Sequence, residues 1–294
     1  MREGVHARMR IWLAVAAVVL ATQSLPVHAE VDKLSGAPLP PRPPEKTSPI
    51  HDRFYILGAF YPPVAHTDVR VDPNPKYAPP GTMGTPVNAE RDLGLPSRLH
   101  QGRVEFMFRL RERHKLRVEY YEADRSASRT LTNDIVFGDQ VFNAGQTVET
   151  SVNWRSFGLT YTYSLYHSDS FELGTGLGVF FLQAEALGAI PATGQSQDSS
   201  AAEPLPTLPL DLTWCISRRF SATARANYVK AAVSGFNGSF SDLHGDLQYR
   251  WNPYFALGLG FTSMHIAVAG HSSAFAGSVS TSFRGPEAFI RFSY

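Results

Sequence analysis

Two short groups of residues have the types and spacing that hydrolytic chemistry requires. Asp242 and His244 are one residue apart, and a carboxylate beside an imidazole can activate water as a general base. His271 and Ser273 precede Glu287, and a serine near a histidine that an acid orients can act as a nucleophile. Both spacings arise easily by chance, and a Gly-His-Ser-Ser segment is also ordinary turn chemistry. These residues are therefore weak catalytic candidates, and we favour a protein that is not an enzyme.

Metal, cofactor and nucleic-acid chemistry have little support in the sequence. The ten histidines are dispersed, and Cys215 is the only cysteine, which excludes an internal disulfide and a multi-thiolate zinc site. No glycine-rich phosphate loop stands between a strand and a helix. The net charge of +1 provides no basic excess for nucleic acid. We therefore expect no metal site, no cofactor and no nucleic-acid partner.

The first 50 residues have the composition of an export leader and a tether. Three arginines precede an apolar run at 11–21, and residues 27–29 match a small-x-small cleavage site, which predicts a signal peptide over 1–29. The apolar run is shorter than the ~20 residues that a spanning helix needs, so a retained inner-membrane anchor is the less favoured alternative. Residues 30–50 contain six prolines and are predicted to form an extended periplasmic linker.

From residue 51 onward, apolar residues recur at every second position, which is typical of β-strands. Val104 and Phe106 share one face of a strand, and Arg103 and Glu105 share the other. The pattern predicts an all-β fold, a single antiparallel transmembrane barrel over 51–294 with about ten strands, within a range of roughly 8–12. We place the strands near 53–71, 99–111, 115–137, 140–166, 171–190, 204–217, 220–234, 240–251, 255–269 and 275–294.

The connections between these strands alternate in length. Gly138-Asp139 separates two β-prone runs and predicts a two-residue hairpin turn. The strands on either side, within 115–166, would be about twice the ~9–11 residues that cross a bilayer, so the hairpin should project beyond the membrane. Segments 72–98 and 191–203 are predicted to be long outer loops. Short turns at one end and long loops at the other are a property of outer-membrane barrels.

The strands are predicted to place charged residues inside the barrel and aromatic residues at its rims. A soluble β-sandwich or lipocalin-like barrel, with the apolar face inward, is the alternative. Charges of both signs can pair across a narrow lumen; the predicted lumen network is Arg103, Glu105, Arg109, Arg117, Glu119, Arg225, Asp246, Arg250, Glu287 and Arg291. Interfacial aromatic belts are typical of membrane proteins; the predicted belt is Tyr61, Tyr166, Trp214, Trp251, Tyr254 and Tyr294.

The last strand resembles the assembly signal of Gram-negative outer-membrane β-barrels. Ala288, Ile290, Phe292 and Tyr294 stand at alternating positions, although that family usually ends on phenylalanine. The resemblance covers the barrel region and implies an outer-membrane location. It also implies contact with outer-membrane lipid, including lipopolysaccharide, and with the barrel-assembly machinery during insertion.

The two candidate hydrolytic groups are similar to parts of two barrel enzyme families. Asp242 and His244 have the Asp-x-His spacing of omptin-like proteases, but an early Asp-x-Asp pair is missing. His271, Ser273 and Glu287 resemble the His-x-Ser and following acid of lipid A deacylase-like barrels, but the surrounding residues do not match.

The sequence favours a structural or surface-interaction barrel whose lumen is filled by paired charges. A small passive porin-like channel is the alternative, and an outer-membrane hydrolase is less favoured. The ligand, the conductance and the oligomeric state are not determined by the sequence.

Overall fold

The computed structural model describes residues 48–73, 79, 81–190, 195–233, 236–271 and 276–294. The predicted signal peptide and most of the predicted linker lie outside the described residues. No helix in the described ranges is long and apolar enough to cross a membrane.

The described residues form strands joined by turns and loops. The strands are β1 (Phe54–Tyr61), β2 (Val64–Val71), β3 (Val87–Asn88), β4 (Gln101–Arg111), β5 (His114–Thr130), β6 (Ile135–Phe137), β7 (Gln140–Phe142), β8 (Thr147–His167), β9 (Phe171–Ile190), β10 (Gln195–Cys215), β11 (Phe220–Val233), β12 (Phe236–Asn252), β13 (Phe255–His271) and β14 (Ala276–Ser293).

The strands close into one antiparallel barrel. Strand β14 pairs with β13 on one side, and with β1 and β2 on the other. Strand β1 also pairs with β4, and the remaining strands follow in chain order. With β1 and β2 counted as one interrupted strand, the described residues form a closed barrel of ten strands. The predicted fold class and strand number are confirmed.

The first barrel strand is broken where the sequence reads Pro62-Pro63. Proline has no backbone N–H, so it cannot donate to a ladder bond. Beyond the break, β2 stays paired with β14 but leaves β4, and it is joined instead to β3 and, at Val64, to Arg98. The predicted strand 53–71 is therefore correct in extent but is interrupted.

Side chains alternate between the two faces of the barrel wall. On β4, Arg103 and Glu105 are buried in the interior, whereas Phe108 and Leu110 are about half exposed on the outside. The same sense holds on β14, where Glu287 and Arg291 are buried and Ile290 and Phe292 face outward. The apolar face is therefore external, and the soluble alternative is wrong.

The hairpin predicted over 115–166 has a different shape. Strands β5 and β8 pair only as far as Thr130 and Thr147. The intervening chain folds back as the small hairpin β6–β7, whose tip is the predicted turn at Gly138-Asp139. The prediction that one strand runs without interruption to 137 and the next from 140 was therefore wrong. Folding back buries the apolar residues of this segment, Leu131, Ile135 and Phe142. Their buried neighbours are Val87, Val148 and Ile190.

The predicted loop at 191–203 is much shorter than expected. Strand β10 begins at Gln195 and pairs with β9 from Gln195↔Ile190 onward. Small polar residues signal exposure to water, but they are compatible with a paired strand that extends beyond the membrane. Strands β11 and β12 likewise extend to Val233 and from Phe236, closer together than predicted.

Candidate functional site

The two ends of the barrel are chemically distinct. We call the end where β1 begins and β14 ends the terminal end; there, the backbone N–H of Phe54 donates to the carbonyl of Tyr294 at 2.9 Å. We call the opposite end, which carries residues 81–98 and 131–146, the loop end. Between them, the interior is filled by two layers of side chains, which are the candidate functional site.

The first layer, nearer the terminal end, is ionic and is centred on Glu105. This carboxylate is fully buried (0% exposed). It accepts hydrogen bonds from the Tyr55 hydroxyl, from Arg225 at 2.5 Å and from Arg103 at 2.8 Å. Arg103 also lies 3.3 Å from the Glu287 carboxylate. Charged groups away from water are tolerated when each has an opposite partner and hydrogen bonds, and β1, β4, β11 and β14 supply these partners.

A second ionic group lies around Glu172. Arg109 donates to both oxygens of Glu172, at 2.7 and 3.1 Å. The ammonium of Lys115 lies 3.3 Å from the same carboxylate. Arg117 donates to Asp211 at 2.9 Å. A bidentate guanidinium–carboxylate pair fixes orientation as well as charge, so this group joins β4 and β5 rigidly to β9 and β10.

The segment before β1 closes the terminal end. Asp52 accepts hydrogen bonds from Arg250, at 3.0 and 2.6 Å, and from Arg291 at 2.7 Å. Ile50 is fully buried, and the Ser48 hydroxyl lies 2.9 Å from the Cys215 thiol. The domain boundary predicted at 50/51 therefore falls inside a segment, 48–53, that packs against the barrel mouth.

All ten residues predicted for the lumen network have buried side chains. The structure joins them to charged or hydroxyl partners that the sequence analysis did not name: Asp52, Tyr55, Lys115, Glu172 and Asp211. Strand alternation could have placed most of these partners inside the barrel. Lys115 is in phase with Arg117, and Glu172 is in phase with the buried Gly174. Asp52 precedes β1, and no strand pattern indicates it.

The second layer, toward the loop end, is apolar. Phe180 and Phe240 contact each other with ring centroids 4.9 Å apart, and Phe240 is fully buried. They pack with ten further buried residues: Tyr61, Ala65, Leu99, Tyr121, Ala123, Trp154, Leu182, Met264, Ile266 and Phe283. We call this set the apolar layer; it lies across the interior of the barrel between the ionic layer and the loop end.

Tyr61 belongs to the apolar layer and not to the aromatic belt in which it was predicted. Its hydroxyl donates to the backbone carbonyl of Thr262 at 3.3 Å. The reason is strand phase, because Tyr55, Leu57 and Ala59 on the same strand are also buried while Phe60 is exposed. The other five predicted belt residues are all exposed at the terminal end: Tyr166, Trp214, Trp251, Tyr254 and Tyr294.

Two cavities lie beside these layers, and both are small. A cavity of about 40 Å³ lies beside Lys115, Arg117 and Asp211. Another of about 20 Å³ lies between the layers, beside Arg103 and Asp242. One water needs roughly 10–15 Å³, so these cavities have room for a few water molecules and not for an organic ligand.

The first catalytic candidate is enclosed. Asp242 and His244 are 6% and 4% exposed and lie beneath the apolar layer. His244 contacts Asp246 at 2.9 Å on Nε2 and Thr262 at 2.9 Å on Nδ1, whereas Asp242 lies near Asn227 at 3.4 Å. The Thr262 hydroxyl, the His244 imidazole and the Asp246 carboxylate stand in the order of a catalytic triad. Buried neighbours surround all three groups. Their geometry therefore supports a role in positioning side chains of the ionic layer.

The second catalytic candidate is not assembled. The backbone of His271 pairs with Ala276 at the loop end; its side chain and Ser273 lie outside the described residues. Glu287 lies further along β14, about 37 Å from Ala276 at ~3.4 Å per residue, and contacts Arg103 instead. Within the described residues, no group of three or more histidine, cysteine, aspartate or glutamate side chains could hold a metal ion.

The loop end is covered by what we call the loop cap, residues 81–98 and 131–146. Its apolar centre includes Leu131, Ile135 and Phe142. Arg125 of β5 donates to Glu90 at 2.5 Å and ties the cap to the barrel wall. Arg91 donates to Asp92 at 2.8 Å, and this hydrogen bond lowers the pKa of Asp92 below its usual value.

Comparison with known proteins identifies the class of fold. No known protein family and no curated protein matches this chain. The outer membrane protease OmpT from Escherichia coli matches with a TM-score of 0.52 and 8% identity, covering 82% of this chain and 96% of that chain. The translocator domain of the autotransporter NalP from Neisseria meningitidis has a TM-score of 0.39 and 8% identity, with 82% and 88% covered. Ail of Yersinia pestis has a TM-score of 0.33 and 10% identity, with 80% and 97% covered.

The chain therefore has the fold of Gram-negative outer-membrane β-barrel proteins. At 8% identity the similarity to OmpT is one of fold, and it implies nothing about a shared activity.

Proposed function

We propose that this protein is an integral outer-membrane barrel with a sealed interior, which acts at the cell surface as a structural or interaction protein. The terminal end faces the periplasm and the loop cap faces outward, since short turns lie on the periplasmic side of such barrels. The external apolar face of the wall and the exposed aromatic residues at the terminal end support a position in lipid.

The observation that carries the proposal is the filled interior. The ionic layer, the apolar layer and the segment 48–53 lie in series along the barrel axis, and the two cavities described above have room only for water molecules. A solute or a peptide would have to displace fully buried side chains such as Glu105 and Phe240. A sealed barrel is favoured over both the passive channel and the hydrolase for this reason.

Planar-bilayer recording of the refolded protein tests the sealed interior. The wild-type barrel should give no discrete conductance steps, while a porin in the same lipid provides the positive control. Reproducible single-channel steps would reject the sealed barrel in favour of the small channel.

Membrane fractionation tests the location. The extracted protein should be found in the outer-membrane fraction, and its unheated form should run faster on a gel than its boiled form because the closed barrel resists detergent. Recovery from the soluble periplasm without a heat-dependent shift would contradict an integral outer-membrane protein.

The loop cap is the proposed interaction surface. The backbone N–H of Gly145 donates to the carbonyl of Leu131 at 2.9 Å, so deletion of 132–144 should leave strand ends that still meet. We expect the deletion to retain the heat-dependent shift and to reduce the sedimentation of cells that adhere to each other through this protein. Unchanged sedimentation relative to wild-type cells would restrict the protein to a structural role.

A further inference from the structure

Two exposed arginines lie on the outer wall of the barrel at the height where the apolar band ends. On β14, the outward positions between Tyr294 and Arg284 are Phe292, Ile290, Ala288 and Pro286. At ~3.4 Å per residue and a tilt of ~40°, the stretch from 294 to 284 rises about 26 Å. The hydrocarbon band of an outer-membrane barrel is ~25 Å tall. Arg284 is therefore at the outer interface if Tyr294 is at the periplasmic one.

Arg98 lies near Arg284, on the opposite side of β2. Val64 pairs with Arg284 on one side and with Arg98 on the other. Residues directly opposite each other in antiparallel strands point to the same face, and Val64, Arg98 and Arg284 are all exposed. With neighbouring strands ~4.8 Å apart, the two arginine Cα atoms are separated by about 10 Å. Their guanidinium groups can thus approach one ligand from both sides of Val64.

These two arginines differ from those inside the barrel in having no acidic partner. Arg103, Arg109 and Arg225 all contact carboxylates. Among the described residues, no ion pair or side-chain hydrogen bond is formed by Arg98 or Arg284. Asp68 lies two rows above Val64 on the same face of β2, and it contacts His66 at 3.2 Å.

The adjacent rows add groups that bind anions weakly. Ser282 pairs with His66 on one side and with His265 on the other, which places a hydroxyl between two imidazoles one row above the arginines. His100, two residues from Arg98, stacks on Phe60 with ring centroids 6.0 Å apart. Phe60, Phe261 and Val64 are exposed apolar side chains on the same wall, and they provide contact area for acyl chains.

We infer that Arg98 and Arg284 form a binding site for a phosphate group of lipopolysaccharide in the outer leaflet. Guanidinium groups match phosphate oxygens in a bidentate manner, and a cation at a lipid interface is favourable when it meets an anionic headgroup. The apolar wall below the site and the exposed cations at the interface fit a phosphorylated lipid better than free phosphate in solution. The inference depends on the proposed orientation of the barrel.

The test uses the full-length mature protein, refolded in a zwitterionic detergent, and measures binding of bis-phosphorylated lipid A. Arg98→Ser/Arg284→Ser is compared with Arg111→Ser/Arg218→Ser, a control that removes two exposed arginines from the terminal end. We expect at least about tenfold weaker binding for the first variant and wild-type binding for the second. Both variants should keep the heat-dependent shift, because all four side chains are exposed.

Three outcomes would overturn the inference. These are wild-type affinity in Arg98→Ser/Arg284→Ser, equal binding of dephosphorylated lipid A by the wild type, or inorganic phosphate competing at concentrations similar to those of the lipid. Loss of binding only in the terminal-end control would indicate that the barrel has the opposite orientation. Protease treatment of intact cells distinguishes that case, since only an outward loop cap would be cleaved.

Discussion

The ionic layer and the apolar layer fill the same narrow barrel by different physical means. Around Glu105, the charged groups depend on particular partners, one on the same strand (Arg103 of β4) and one on another (Arg225 of β11). Around Phe240, the contacts are non-directional, and burial of surface is the main stabilising contribution. A buried charge therefore depends on particular neighbours, whereas a buried ring depends only on the volume being filled.

The largest effect should come from breaking the ionic layer. Glu105→Ala leaves Arg103 and Arg225 without their shared carboxylate, and removal of one partner from a buried pair costs roughly 3–5 kcal/mol. The loss of unfolding free energy can be measured by denaturant titration in lipid vesicles. Glu122→Ala is the matched control, because Glu122 pairs with Arg155 at 3.2 Å on the surface and should cost about 0–1 kcal/mol. Equal losses would show that the interior pairs do not depend on their burial.

The second prediction concerns repair of the ionic layer. Glu105→Met/Arg225→Met replaces both partners of the pair by apolar groups of similar length, and such replacements can be nearly neutral. The double variant should lose at least about 1 kcal/mol less stability than the sum of the losses in Glu105→Met and Arg225→Met, which a double-mutant cycle of these variants measures. Strictly additive losses would argue that the pair is not a coupled unit.

A substitution in the apolar layer should lower the unfolding free energy without dependence on a charged partner. Phe240→Leu removes ring volume beside Phe180 and should cost roughly 1–2 kcal/mol through lost burial and a small cavity. The loss should be the same at low and at high salt, in contrast to Glu122→Ala, whose small effect is screened by salt. A strong salt dependence for Phe240→Leu would contradict an apolar layer that is free of charge.

A smaller effect is expected at the glycines of β9. A methyl group on Gly176 would lie 2.1 Å from the Tyr161 carbonyl, which is backbone and cannot move freely, so Gly176→Ala should lose about 1 kcal/mol. Gly58→Ala is the control, because a methyl group there meets nothing within 4 Å. Denaturant titration of both variants should show a loss only for Gly176→Ala.

The closure of the terminal end can be followed through Cys215. Asp52→Ala removes the contacts with Arg250 and Arg291 that hold the segment 48–53. Cys215 touches Ser48 of that segment, so its modification by a small thiol reagent should become about tenfold faster, equivalent to roughly 1.4 kcal/mol of lost local stability. An unchanged rate would mean that Ile50 alone holds the segment in place.

Alternation along the strands was sufficient to predict which side chains share a face, although it did not by itself decide which face is inside. The strand period of two places Arg103, Glu105 and Arg109 on one face whatever their partners are, and all three are buried. The same period, applied from Tyr55, would have placed Tyr61 inside. Its position near a strand end predicted the aromatic belt instead.

Other features could not be predicted, because they depend on strands that are far apart in the chain. Arg109 meets Glu172, and Asp52 meets Arg250 and Arg291, and no local pattern identifies these pairs. The fold-back of β6–β7 has the same origin, since its apolar residues are buried by Val87 and Ile190 from other parts of the chain.

The sequence by itself determined the all-β class of fold, the number of strands to within about two and the division of each strand into two faces, because these follow from a local period and from the length of each strand. Only the tertiary structure decided how the lumen is filled, which charges are paired, and where the loop cap lies. Barrel closure brings residues from strands remote in sequence within a few ångströms of each other, and the energy of a buried charge is set by that distance.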